Sequence, residues 1–203
     1  MPKKKLTPRQ EQGLKTRKDI FDAAVGLFER KGYYKVTVND ICEQAGVSTG
    51  AFYNHFKSKD QVIMELFLRI DNFYQDVARD IAGKSTVMEK LEAFMESAMS
   101  YMSSLGTSFT RILYHTQLGP NKRKAYISSP SRPLYDIALS IIEEGQKKGE
   151  IRGDMDPKTL ARIIISCHRG LIYEWCARNG EFDLVEDSEE LLKLFRPALR
   201  PPV

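Results

Sequence analysis

The chain has 203 residues, 42% hydrophobic and 29% charged, which lies in the globular range and excludes a disordered or fibrous chain. No run approaches 18 uninterrupted apolar residues, and Met1 to Leu6 is basic with no apolar segment behind it, so neither a membrane span nor a secretory signal is read and a cytoplasmic chain is expected. The net charge of +4 is unevenly spread: residues 1–60 hold 12 Lys and Arg against 7 Asp and Glu, while residues 61–203 hold 19 against 20.

A basic first third beside a neutral remainder is the footprint of a module that meets a polyanion. A solubilising leader is the alternative reading of Lys3, Lys4, Lys5 and Arg9. Cys42, Cys167 and Cys176 make an odd set with no paired framework, which reads as small hydrophobes rather than disulfides.

Apolar residues recur at helical spacing almost throughout, so the chain is expected to be all-α with about nine helices. After a flexible basic leader over 1–15, a first helix is predicted from about Thr16 to Lys31, carrying Ile20, Ala23, Ala24, Leu27 and Phe28 on one face and closed by Gly32. Thr37 with Asp40 three residues on predicts a capped second helix that Gly46 ends within two turns. Ser48 caps a short third helix and Ser58 with Gln61 a fourth. From there the segments lengthen: Val62 to Ile81, then Met88 to Leu105, with Gly83 to Thr86 between them.

A shorter stretch with Phe109, Ile112 and Leu113 stops before Gly119-Pro120, and Ser128 to Pro133 is a break. Leu134 to Gly149 forms the next helix. Asp156-Pro157 starts another that runs to about Arg178, and a last helix follows Ser188 to Leu199. The expected division is a leader at 1–15, a DNA-binding domain at 16–60 and a helical domain at 61–203.

The segment from Thr37 to Lys59 has the layout of a helix-turn-helix. Ile41, Ala45, Val47 and Phe52 pin two short helices together, and Gly46 permits the left-handed turn between them. Any helical hairpin shares those needs, so the spacing alone leaves a purely structural hairpin open.

This stretch resembles the DNA-binding domain of TetR/AcrR-type bacterial transcriptional regulators at Thr37, Asp40, Ile41, Ala45, Gly46, Val47, Ser48, Gly50, Tyr53, His55, Phe56, Ser58 and Lys59. It departs in having Cys42 where Ala is usual and Asp60-Gln61-Val62 for Glu-x-Leu. Residues 145–157 are similar to many members' sequences, though less specifically. The resemblance implies a recognition helix that offers Thr49, Gly50, Tyr53 and Asn54 to base edges in the major groove. It also implies phosphate contact by Thr37, Ser48, Tyr53, His55, Lys57 and Lys59. Arg17 and Lys35 are weaker candidates with an ordinary solvated charge as their alternative, and His55 has a structural alternative.

The helix 157–178 is apolar on two stripes: Leu160, Ile163, Ile164, Cys167, Leu171 and Trp175, and Ala161, Ile165, His168, Ile172 and Cys176. One stripe can face its own core. The other is expected to face a second copy, with 188–199 joining a four-helix packing, as the resemblance also implies. A dimer would set two recognition helices about one DNA turn apart on a palindromic operator.

Between these parts lie Phe94, Met95, Met99, Met102, Phe109, Arg111, Tyr114, His115 and Tyr126, which with His168 and Trp175 are the candidate ligand-binding residues. Met-rich, aromatic walls adapt to apolar or aromatic effectors. A dry, packed domain from 84 to 178 would instead speak for a regulator controlled by a protein partner.

Cys167-His168 with Cys176 is the cluster that hints at metal. Adjacent helical residues point about 100° apart, however, and no fourth ligand is near, so no metal is expected. No phosphate loop, nucleophile elbow or paired carboxylate is visible, so neither enzyme chemistry nor a cofactor is expected.

Overall fold

Thr7 Oγ1 accepts a hydrogen bond from Gln10 N, the Thr7 N–H donates in return to Gln10 Oε1, and Pro8 follows at the first helical position. This closed capping box starts the first helix eight residues before the expected Thr16, so part of the expected leader is helical. The computed structural model describes residues 6–117 and 126–202. Lys3, Lys4, Lys5 and the expected stop at Gly119-Pro120 lie outside the described residues.

Among the described residues there are nine α-helices and no strands. They are α1 (Pro8–Lys31), α2 (Val38–Ala45), α3 (Thr49–His55), α4 (Lys59–Asp80), α5 (Val87–Leu105), α6 (Thr107–Gln117), α7 (Pro133–Lys148), α8 (Pro157–Ala177) and α9 (Leu184–Leu199). The chain divides into two compact units, residues 1–66 and 67–203. The division falls inside α4, six residues beyond the expected boundary at 60.

In the first unit α1 packs on α2 and α3. Its core is Ile20, Ala24, Leu27 and Phe28 from α1, with Val36, Ile41, Phe52, Phe56, Val62 and Ile63. The spacing of the α1 set matches the predicted face, apart from Ala23, which is only half-buried.

In the second unit α5 packs against α7 and α9, and α8 against α6, α7 and α9. The α9 start is at Asp183, whose carboxylate accepts from Val185 N and Glu186 N. Ser188, expected as the cap, is instead fully buried inside the helix. No described helix is long and apolar enough to cross a membrane.

The segment after α7 locks that helix to the start of α5. Gly149 takes a left-handed conformation and ends α7. The Glu150 carboxylate then accepts from Val87 N at 2.7 Å, satisfying an orphan donor at the start of α5. Ile151 is buried over Gly145, where a β-carbon would come within 2.6 Å of Ile151 Cδ1 and 2.9 Å of Val87 Cγ1. Gly145→Val is therefore expected to overpack this junction and destabilise the protein by about 1–3 kcal/mol, read as a lower urea midpoint.

Candidate DNA-reading surface and apolar cavity

Thr37 Oγ1 accepts from Asp40 N at 3.1 Å, and Asp40 Oδ2 accepts from Thr37 N at 2.7 Å. The Thr37 hydroxyl and backbone, followed by Lys31, hold the Asp40 carboxyl below the usual carboxylate range. Two turns later Gly46 adopts φ 66°, ψ 34°, and Ser48 Oγ accepts from Ala51 N to start α3.

Phe52 and Phe56 are fully buried with ring centroids 6.0 Å apart, which fixes the inner face of α3. The outer face carries Thr49, Gly50, Tyr53 and Asn54, all exposed, with Tyr53 57% exposed. Thr37, Lys35, Ser48 and Lys57 are exposed too, and His55 is half-buried. A β-carbon on Gly50 would meet only Ser48 Oγ at 3.8 Å, so nothing in the chain itself demands glycine there.

Two expected phosphate contacts, Lys59 and Arg17, bond within the chain. Lys59 Nζ donates to Tyr33 O at 2.9 Å and Val36 O at 3.0 Å and lies 4.4 Å from the Tyr33 ring centroid. Burial lowers its pKa, partly offset by Asp60. Arg17 donates to His55 O and to Glu65, both at 2.6 Å, and stacks 4.3 Å from the Phe56 centroid. It therefore ties α1 to the end of α3 and to α4. Both cations are spent on backbone carbonyls that helix ends leave without partners.

Within the second unit a cavity opens between α4, α5, α6, α7 and α8. Its lining includes Phe67, Ile70 and Tyr74 of α4, Met95, Met99 and Met102 of α5, Leu113 and Tyr114 of α6, and Ile165, His168 and Ile172 of α8. The cavity volume is small, about 40 Å³. Burial pushes the Tyr74 hydroxyl up to about 12 and raises Tyr114, so both face the cavity as neutral phenols.

Of the candidate ligand residues, Met95, Met99, Met102, Tyr114 and His168 meet in this lining, and the others are placed elsewhere. Phe94 is buried edge-on to Tyr74. Phe109 and Trp175 are buried outside the lining. Arg111 donates to Cys176 O and Asn179 Oδ1, fastening α6 to the end of α8. His115 is exposed. The Tyr126 hydroxyl donates to Asp71 Oδ2 at 2.8 Å.

The sequence reading missed the cavity's polar wall. Arg132 stands at the cap position of α7, yet its guanidinium turns inward and donates twice to Asp71 Oδ1, at 2.7 and 3.0 Å. Both residues are 3% exposed. Arg132 also donates to Ile127 O and lies over the Phe67 and Tyr126 rings. Arg169 donates to the Tyr135 hydroxyl and to Ile127 O.

Among the described residues no group of three or more His, Cys, Asp or Glu is arranged to hold a metal. The three cysteines are free thiols.

A helix-turn-helix with a polar outer face, followed by a helical domain with an internal apolar cavity, defines the class of one-component transcriptional repressors: one part reads DNA and the other takes a small molecule. The family described as bacterial regulatory proteins of the tetR family matches residues 20–66, and the tetracyclin repressor-like C-terminal domain matches residues 84–199. The chain belongs to the TetR family and is a DNA-binding transcriptional regulator, not an enzyme.

It is 28% identical over 178 residues to the fatty acid metabolism regulator protein of Bacillus subtilis strain 168, covering 86% of this chain and 91% of that protein. The solved structure of FadR from Bacillus subtilis in complex with stearoyl-CoA is 26% identical with a TM-score of 0.74, covering 90% of this chain and 99% of that one. FadR of Thermus thermophilus in complex with lauroyl-CoA shares the fold at 23% identity and a TM-score of 0.69, covering 88% and 92%.

Two outcomes follow from the cavity wall. Asp71→Leu leaves the Arg132 charge buried without its partner and is expected to cost about 3–5 kcal/mol in urea unfolding. His168, 1% exposed, has its pKa lowered below 6.5 by burial, offset in part by its bond to Ile164 O. The unfolded chain then binds a proton that the folded chain refuses. Stability is therefore expected to fall as pH drops below about 6.5, and His168→Phe should flatten that part of the profile, measured by urea unfolding between pH 7 and pH 5.

Proposed function

We propose that the chain acts as a homodimeric repressor that reads a palindromic operator through α3 and leaves it when an apolar, acyl-type effector enters the α4–α8 cavity. The observation that carries the DNA half is the outer face of α3. Thr49, Gly50, Tyr53 and Asn54 stand clear of the core, and Gly50 has room for a side chain it lacks. Glycine in a helix costs up to about 1 kcal/mol against alanine. Close approach of the backbone to a base edge gives that cost a purpose. Ser48 and Thr37 at helix starts, with His55, Lys57 and Lys35, supply phosphate contacts around it. Arg17 and Lys59 shape the head from within.

The dimer reading rests on what α8 and α9 leave uncovered. Ile163, Cys167 and Leu171 are half-buried, Gly170 is exposed, and Leu194 is 75% exposed beside half-buried Leu191 and Phe195. A second copy covers this apolar face, within the expected 157–178 and 188–199 helices. Leu194→Glu is expected to shift the protein toward monomer in sedimentation and to weaken operator binding with it.

The effector reading draws on the acyl-CoA ligands of the two FadR structures and on the methionine wall. A void of about 40 Å³ is far below the 300–1,000 Å³ of typical ligand sites, so an acyl-type effector has to widen it on entry. Met95, Met99 and Met102 have the rotatable bonds to widen it. Widening displaces Phe67, Ile70 and Tyr74 of α4, the helix whose first turns belong to the DNA-binding unit. To shift the population from 99:1 to 1:99 the effector must favour the released form by about 5.5 kcal/mol.

The test is a mobility shift on the chain's own promoter with dodecanoyl-CoA added. Release of the DNA is expected; retention at every concentration would turn the reading toward control by a protein partner. In the same assay Thr49→Ala and Tyr53→Ala are each expected to lose about 1–3 kcal/mol of specific binding. Lys57→Ala should weaken all sequences alike and reduce the salt slope by about 1.

A further inference from the structure

We propose that the effector is an apolar chain bearing a neutral hydroxyl group, and that the Nε2 atom of His168 is the acceptor that reads it. This rests on the effector reading above and adds the chemistry of what enters. Among the described residues two buried side-chain polar atoms have no hydrogen-bond partner, His168 Nε2 and Ser188 Oγ. Ser188 lies within α9, whereas His168 belongs to the cavity lining.

The protonation of the ring follows from its other nitrogen. His168 Nδ1 lies 2.8 Å from Ile164 O, one turn back on its own helix. A carbonyl oxygen only accepts, so Nδ1 carries the proton. Burial keeps the ring neutral. Nε2 is then a lone pair directed away from the helix backbone, with no donor from the chain to meet it. A buried acceptor left unmade is a loss that the fold does not recover internally.

The neighbours narrow the donor. Arg132 and Arg169 share the same wall, so a cationic donor such as an ammonium is repelled. Both guanidiniums are committed, Arg132 to Asp71 and Ile127 O, Arg169 to Tyr135 and Ile127 O. Ile70, Met99, Leu113, Ile165 and Ile172 make up the apolar part of the lining. A hydroxyl on a hydrocarbon chain supplies one donor and otherwise matches those aliphatic walls. An unsubstituted chain fills the same space and leaves Nε2 orphaned, which is how the site distinguishes the two.

The experiment is calorimetric titration of the full-length protein with dodecanoyl-CoA, 3-hydroxydodecanoyl-CoA and 12-hydroxydodecanoyl-CoA. At least one hydroxylated ligand is expected to bind about tenfold tighter than the unsubstituted one, the order of one neutral hydrogen bond. In His168→Phe the three affinities should converge to within about twofold. Nitrogen NMR of the three histidines in the unsubstituted protein gives a second readout that does not depend on that variant folding. The His168 Nε2 signal should shift as a neutral acceptor with the hydroxylated ligand and stay unchanged with dodecanoyl-CoA.

Equal affinity of wild type for all three overturns this proposal and leaves the effector reading standing. Binding of none overturns both. A hydroxyl preference that survives in His168→Phe, or an imidazolium signal in the complex, overturns the role given to His168.

Discussion

One uninterrupted helix, α4, is shared by the two compact units, and the proposed release of DNA depends on it. Its residues Lys59 to Leu66 belong to the first unit, and Phe67, Ile70 and Tyr74 line the cavity of the second. No glycine or proline interrupts the span from Lys59 to Asp80, so it has no built-in hinge. The Lys59 ammonium anchors the start of this rod to the carbonyls of Tyr33 and Val36.

Further along, α4 is held by charge. Asp71 sits one residue past Ile70 on α4 and receives Arg132 from α7 and Tyr126 from the short turn before it. Taking two charges out of water is costly, and an apolar replacement of similar volume is often as stable. A buried pair of this kind specifies one position of α4 against α7 where aliphatic contacts alone would tolerate sliding. Arg169, reaching Ile127 from α8, extends the same arrangement across the cavity wall.

Much of the architecture was legible because helix ends announce themselves locally. Thr37 with Asp40, Ser48, Gly46, Gly149 and Asp156-Pro157 each place an acceptor or a left-handed residue where orphan backbone groups need one. Two starts were missed for opposite reasons. Thr7-Pro8 was hidden by the basic, proline-flanked composition around it, and Asp183 was passed over for Ser188, a residue of the right type in the wrong place.

The candidate site was legible in part. The exposed face of α3 follows once Phe52 and Phe56 are assigned inward. The cavity does not, because Phe67, Ile70 and Tyr74 look like any core stripe. The partnership of Asp71 with Arg132 spans 61 positions, beyond any local pattern. Lys59 and Arg17 show the same limit: a basic residue has one appearance in sequence whether or not it also bonds a carbonyl of its own chain.

Gly50 has a consequence for how this protein changes under pressure. A methyl group there meets only the Ser48 hydroxyl at 3.8 Å, and alanine is the better helix former. The head is thus built below the firmness its own packing would allow. Selection for heat tolerance alone would fill the gap with alanine, and on the proposed reading of α3 durability and operator binding then pull in opposite directions at a single carbon atom.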